Sequence, residues 1–196
     1  AGGLELATRL GDTLGRRGRA KVTLIERGRT HFWKPHLHEL AAGSVDLDVH
    51  ELDYLAQSHW HGFKYRYGEM IGLDRAAREV LVGPVMDEEH GEEIVSARRV
   101  SYDLLVLAVG SNINDFGTPG VIEHAMALDS TAQADRFHRR LVNAFLRAHA
   151  QTVPLRRGQL DVAIVGAGAT GVELAAELHN ATRELVSFSL DNIDPD

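Results

Sequence analysis

The chain is 196 residues long, 44% hydrophobic and 25% charged, with a formal net charge of -7 and no cysteine. That is enough apolar material for one or two packed domains, and the charge content is too ordinary for disorder. The acidic balance excludes a basic nucleic-acid footprint, the missing thiols exclude disulfides and thiolate chemistry, and no run approaches the ~18 apolar residues of a membrane span. With no signal-peptide pattern at its start, the chain reads as a soluble globular piece.

In chain order, Leu6, Leu10 and Leu14 are spaced four apart and predict a helix after Gly3. Val22 to Ile25 predicts a short buried strand that runs into Glu26, and Thr30 to Gly43 reads as irregular, rich in aromatic and histidine residues. A second helix is expected over Leu52 to Ser58. From Phe63 to about Val109 the pattern is strand-like, broken by glycine turns and by an acidic hairpin loop from Asp87 to Glu93. Leu104 to Val109 is apolar throughout, as in a strand covered on both faces, so it is expected beside Val22 to Ile25 in one parallel sheet. Asp129-Ser130 is expected to cap a long helix whose apolar stripe is Ala134, Phe137, Leu141, Ala144, Phe145 and Ala148. The polar stretch Gln151 to Gln159 is the best boundary. After it come a strand over Leu160 to Val165, a glycine turn, and a helix with Leu174, Leu178, Ala181 and Leu185 inward. Strands alternating with helices indicate an α/β fold.

The glycine turn is the strongest motif. Gly166-x-Gly168-x-x-Gly171 follows an apolar strand and opens an amphipathic helix, the context that makes it a dinucleotide fingerprint. The first glycine makes the tight turn, the second lets a pyrophosphate approach the backbone, and the third allows the helix to pack closely on the strand. Residues 1–7, AGGLELA, read like residues 169–175, ATGVELA, so Gly3 falls in the third-glycine role of a second copy. The chain therefore reads as a fragment cut inside its first motif. In that copy Glu26 ends the strand after the helix, where a carboxylate can accept hydrogen bonds from adenosine ribose hydroxyls.

Three segments carry a family resemblance: VTLIERGRTHFWKPHLHELAAGSVD, YDLLVLAVGSNINDFGTPGV and VAIVGAGATGVELAAELHNA. In register and in order they resemble the bacterial type II NADH:quinone dehydrogenases, single-subunit flavoproteins that do not pump protons. The resemblance implies an FAD/NAD(P)-binding two-domain flavoprotein fold with two Rossmann-like units, both incomplete here. Residues 1–155 would be the N-terminal part of the FAD-binding domain and residues 156–196 the start of the NADH-binding domain. Gly3 and Glu26 match the FAD pyrophosphate turn and ribose carboxylate. Lys34 and Pro35 match the loop against the flavin ring, where a cation would stabilise negative charge on the reduced ring. Met70 matches the residue whose backbone meets the adenine, and Ala108 and Gly110 match the strand end that returns the chain to the flavin. Gly166, Gly168 and Gly171 match the NADH turn, and Glu173 a glutamate near the nicotinamide and the flavin.

What the resemblance implies for the whole protein is electron transfer from NADH through FAD to a membrane quinone. Such an enzyme sits peripherally on the cytoplasmic side of the bacterial inner membrane, attached through C-terminal regions absent from this chain, and the resemblance leaves room for a homodimer. The segments that would select NADH over NADPH are also absent, and the fragment is expected to be inactive alone. For Glu173 two readings stand: a helix-stabilising acid in the first turn, worth ~0.3–1 kcal/mol, or a residue facing the cleft between the cofactor sites that orients the nicotinamide or relays a proton to quinone. Lys34 and Glu173 are the candidate catalytic residues. His36-x-His38 and His59-x-His61 are weak candidates for metal ligands without cysteine or clustered carboxylates, and no metal site is assigned. The alternative from another class is a non-catalytic dinucleotide-binding sensor, which has no need of a flavin-facing Lys34-Pro35 loop.

Overall fold

In the computed structural model, residues 1–87 and 89–187 are described. The chain forms two compact units, one from residues 1–31 and 51–111 and the other from residues 32–50 and the described residues from 112 on.

The first unit starts with α1 (Gly2–Leu10), continues as one π-helical turn, and leads to β1 (Thr23–Glu26). The buried positions of α1 are Leu4 and Ala7, packed with Tyr54 and Phe63 and against Val22, Leu24 and Tyr65. The expected Leu6–Leu10–Leu14 face is not the buried one: Leu6 is exposed, because the residues three apart, Leu4 and Ala7, lie over β1. A two-stranded antiparallel pair, β2 (Thr30–His31) with β3 (Leu52–Asp53), brings the chain to α4 (Tyr54–His61). Asp53 caps α4 by accepting from the Ala56 N–H at 2.7 Å, which sets its start at Tyr54, and Gly62 ends it in the left-handed conformation.

After α4 comes β4 (Lys64–Tyr67), the parallel neighbour of β1 with Glu26 opposite Tyr67. The strand-rich middle then resolves as an antiparallel three-stranded sheet of β5 (Met70–Asp74), β6 (Glu79–Val82) and β9 (Arg98–Ser101), in the order β5-β6-β9. A hairpin of β7 (Val85–Met86) and β8 (Glu93–Val95) carries the acidic loop at its tip. Val80 and Val82 are the most deeply buried residues of this sheet.

The second unit is helical where it is best packed. Its elements are α2 (Leu37–Ala42), α3 (Leu47–His50), α5 (Val121–His124), α6 (Thr131–Ala150) and α7 (Ala169–Ser187). The α2 helix lies in the segment expected to be irregular. Its apolar positions Leu37, Leu40, Ala41 and Ala42 are hidden in the sequence by His38 and Glu39 between them, but each is buried in the core shared with α6 and α7. Gly43 closes α2 in the left-handed conformation that glycine reaches without strain. Ser130 and Gln133 form a reciprocal capping box at the start of α6, and the expected stripe is buried at Ala134, Phe145 and Ala148 and half-buried at Phe137, Leu141 and Ala144. On α7, Leu174, Leu178 and Ala181 are buried against α2 and α6, and Leu185 packs against a separate cluster of Phe145 and Ala148.

Two expected strands are not formed. Residues 104–109 and 160–165 make no ladder among the described residues, and β1 has β4 as its parallel neighbour instead of residues 104–109. Leu104 and Val109 are 82% and 84% exposed, and Val165 is 98% exposed. An apolar run reports a preference for a buried strand, but a strand exists only where a second backbone offers the facing N–H and C=O groups. Neither run has that neighbour here.

Candidate functional site

In the first unit Glu26 stands at the end of β1. The Glu26 carboxylate accepts from the backbone N–H groups of Arg27 (2.9 Å) and Gly28 (3.2 Å), which fixes one of its oxygens at the strand end. A row of aromatics lies beside it. Tyr54 and Tyr65 stack with centroids 5.3 Å apart, Tyr67 follows at 6.3 Å from Tyr65, and the Arg29 guanidinium sits 5.5 Å over the Tyr67 ring. Burial raises the Tyr54 hydroxyl well above the ordinary tyrosine value and pushes Tyr65 up to about 12, with the Glu26 carboxylate adding to both. Burial holds His31, 3.3 Å from the Tyr54 hydroxyl, below the ordinary histidine value. None of this aromatic packing is legible as a motif. The sequence signal, KYRY after a helix, only marks a strand.

Gly3 behaves as a packing glycine. A Cβ there would stand 3.1 Å from the Ala108 Cβ and 3.9 Å from a Leu24 methyl, so α1 comes close to β1 and to the segment through Ala108 because the side chain is missing. Met70 begins β5 opposite Val82, next to a bulge that frees its flanking backbone from a regular register. Gly110 adopts a positive φ of 75°, ending the 104–109 run in a turn that favours glycine.

In the second unit, the turn before α7 has the geometry its glycines predict. Gly166 has a φ of 113°, a conformation that side chains rarely adopt, and a Cβ on Gly171 would collide with the Gly166 carbonyl oxygen. Gly168 lies between them with nothing within 4 Å of a would-be Cβ. That open approach to backbone at the head of a long helix fits a dinucleotide pyrophosphate, which needs close backbone contact and N–H donors. On the same criterion the first unit fits the adenosine end of a dinucleotide, with a fixed carboxylate at the strand end and a packing glycine in the preceding helix.

Lys34 and Pro35 lie in a single 3-10 turn, Lys34–His36, before α2. The Lys34 ammonium makes an ion pair with Asp129 at 2.8 Å, an acid that sequence reasoning assigned only to a cap. Capping at that helix falls to Ser130 instead. Glu173 departs from expectation in one respect. The helix begins at Ala169, which puts Glu173 one turn in, beyond the first turn where the dipole gain is concentrated. Its carboxylate faces α2, 3.5 Å from Nδ1 of His38. His38 is 8% exposed, a polar residue buried in the helical core. Among the described residues no cluster of histidines and carboxylates is arranged to hold a metal ion.

A family model described as pyridine nucleotide-disulphide oxidoreductase matches residues 1–189. The chain belongs to that family. It is 43% identical, over 206 aligned residues covering 99% of its length, to a type II NADH:quinone oxidoreductase of Haemophilus influenzae, and covers 46% of that protein. A second type II NADH:quinone oxidoreductase, from Staphylococcus aureus, is 28% identical over 94% of this chain and 42% of the relative. Among solved structures, NDH2 from Plasmodium falciparum in complex with NADH matches 95% of this chain and 36% of that chain, with a TM-score of 0.76 at 20% identity. A sulfide:quinone oxidoreductase from Aquifex aeolicus matches with a TM-score of 0.65 at 17% identity, covering 96% of this chain and 38% of that chain. These likenesses establish an FAD/NAD(P)-binding flavoprotein fold. The chain spans about half the length of the curated relatives it matches. The disulphide chemistry in the family's description has no counterpart in this chain, which has no cysteine.

Proposed function

We propose that this chain is the nucleotide-binding part of a type II NADH:quinone dehydrogenase, which passes electrons from NADH through FAD to a membrane quinone. The observation that carries the reading is the 43% identity to the Haemophilus influenzae enzyme, sustained over 99% of this chain. Residues 1–155 then belong to an FAD-binding domain and residues 156–196 open an NADH-binding domain, each built on a Rossmann-like unit completed by the rest of the protein. The whole enzyme works at the membrane surface on the cytoplasmic side; among the described residues no helix is long and apolar enough to cross a membrane.

When bound, FAD supplies the two-electron chemistry, accepting hydride from NADH and yielding the pair of electrons to quinone. The residues of this chain hold and tune it. Gly3 keeps α1 close enough for its neighbours to reach a pyrophosphate, Glu26 accepts from the adenosine ribose, and the Met70 backbone meets the adenine. Ala108 and Gly110 bring the chain back toward the flavin. Lys34, beside Pro35, offers a cation whose charge is partly balanced by Asp129, so it can favour an anionic reduced ring without adding a full unpaired charge. The Gly166, Gly168 and Gly171 turn takes the NADH pyrophosphate, and Glu173 orients the nicotinamide.

The test is spectroscopic. The purified whole protein should be yellow, and anaerobic NADH should bleach the flavin band, with colour returning on addition of a soluble quinone. A yellow protein that NADH does not bleach would be a non-catalytic sensor, and a colourless one that gains no colour from added FAD would remove the flavin assignment.

A further inference from the structure

Among the described residues, His38 is the polar residue that lies within the buried core of the second unit. His38 lies on α2 between Leu37 and Leu40, and its Nδ1 is buried without a hydrogen-bond partner. Leaving a buried polar atom unpaired is costly, so an apolar residue would serve this position better if packing were its whole role. Two carboxylates flank the ring. Glu39, on α2 itself, is 3.8 Å from Nε2, but it is already engaged by His36 at 2.8 Å. Glu173, on α7, is 3.5 Å from Nδ1. One turn further along α7, Glu177 accepts from the Ser44 hydroxyl at 2.7 Å. Of the two α7 carboxylates that meet this part of the chain, Glu173 is the one without a hydrogen bond among the described residues.

A buried ring nitrogen without a partner and a carboxylate without a donor, both among the described residues, therefore stand a few tenths of an ångström beyond hydrogen-bond length. Their environments differ in a useful way: the His38 side chain is 10% exposed and that of Glu173 is 49% exposed. The imidazole is buried in the core on α2, whereas the glutamate, one turn into α7, is half exposed. A bond between them would transfer the rigidity of the core to the carboxylate.

We propose that His38 is the positioning residue of Glu173: its Nδ1–H donates to the Glu173 carboxylate and holds it in the single rotamer in which it works. The proposal rests on the reading that Glu173 serves electron transfer, and adds the residue through which the fold controls it. No role follows for His36, which is half exposed and pairs with Glu39 alone.

The experiment uses the whole holoenzyme labelled with 15N at histidine. Long-range 1H–15N spectra should show His38 protonated at Nδ1, and Glu173→Gln should move the His38 Nδ1 resonance more than that of any other histidine. In turnover, Glu173→Gln and His38→Leu should each lower kcat by roughly tenfold with little change in KM for NADH, and the double variant should be no slower than the slower single variant, because both remove one unit. His38→Gln, whose side-chain amide can donate from a similar place, should recover most of the loss. A His38 resonance indifferent to Glu173→Gln, or kcat losses that multiply in the double variant, would overturn the proposal. Normal turnover in Glu173→Gln would overturn the reading of Glu173 itself, whereas a slow Glu173→Gln with a normal His38→Leu removes His38 alone. If His38→Leu does not fold, the resonance shift in Glu173→Gln decides.

Discussion

At the scale of single residues, the end of β1 is where chemistry and packing meet. Glu26 already accepts from two backbone N–H groups, so its carboxylate is oriented in advance, and if it binds ribose as proposed above, little entropy remains to be lost on binding. Glu26→Ala should therefore weaken FAD binding to the whole enzyme by roughly 10- to 100-fold, the range for losing hydrogen bonds to a charged group. Its fold should be kept, since Glu26 is only half-buried. Fluorescence of released FAD on dilution measures this, and a variant that retains FAD like the parent would put the ribose elsewhere. The neighbouring tyrosines give a pH signature. The Tyr65 hydroxyl is pushed up to about 12 by burial first, then by Tyr67, Glu26 and Asp53, and it is bound to the Gly28 carbonyl. The folded chain thus keeps this proton where the unfolded chain, with tyrosine near about 10, has released it. Stability that is fully present below about pH 10 is lost as pH rises through about 12. Phenolate absorbance and the denaturant midpoint, followed together through that window, should change together; an ordinary tyrosine titration for Tyr65 would contradict its burial.

At the scale of elements, the two copies of the glycine-and-helix motif make a graded prediction. In the second copy a Cβ at Gly171 would run into a backbone carbonyl, that of Gly166, which cannot swing away as a side-chain tip can. In the first copy a Cβ at Gly3 would stand 3.1 Å from the Ala108 Cβ, a contact that a shift of a few tenths of an ångström relieves. Gly171→Ala should cost about 1–3 kcal/mol and loosen the start of α7, while Gly3→Ala should cost less than ~1 kcal/mol. Urea unfolding of the two variants ranks them, and the reverse order would contradict this reading of the two contacts. Elements with local signals were legible in the sequence. The α6 helix carries its own cap in Ser130 and Gln133 and its own stripe, and the Gly166–Gly171 turn carries its backbone requirement in its glycines. The short α2 helix was not, because His38 and Glu39 break its apolar spacing and only contact with α6 and α7 shows which face is inside. His38 and the Lys34–Asp129 pair were hidden for a related reason. Their partners lie 135 and 95 residues away, and no spacing rule reaches across that distance.

At the scale of the whole molecule, the two apolar runs at 104–109 and 160–165 show the limit of what this chain organises by itself. Both have the composition of central strands, yet neither has a paired neighbour among the described residues, and Leu104, Val109 and Val165 stand more than four-fifths exposed. A backbone in that state has no ladder to protect its amides, whereas β6 is held on both sides, by β5 and by β9. Hydrogen exchange on the isolated 196-residue chain should therefore be complete at residues 104–109 and 160–165 at the shortest labelling times, with slow exchange at Val80 and Val82. The chain spans about half the length of its curated relatives, and in the whole protein those same two runs should become protected as further strands pair with them. Function should follow the same division. Electron transfer of the proposed kind needs both cofactors held at contact distance, and the two runs lead directly into Gly110 and Gly166, the turns proposed above to meet flavin and NADH. The isolated chain should accordingly show no NADH:quinone turnover above a heat-killed control, while the whole enzyme turns over. Protected amides in the isolated chain at 104–109, or measurable turnover from it, would show that these strands organise without the rest of the protein.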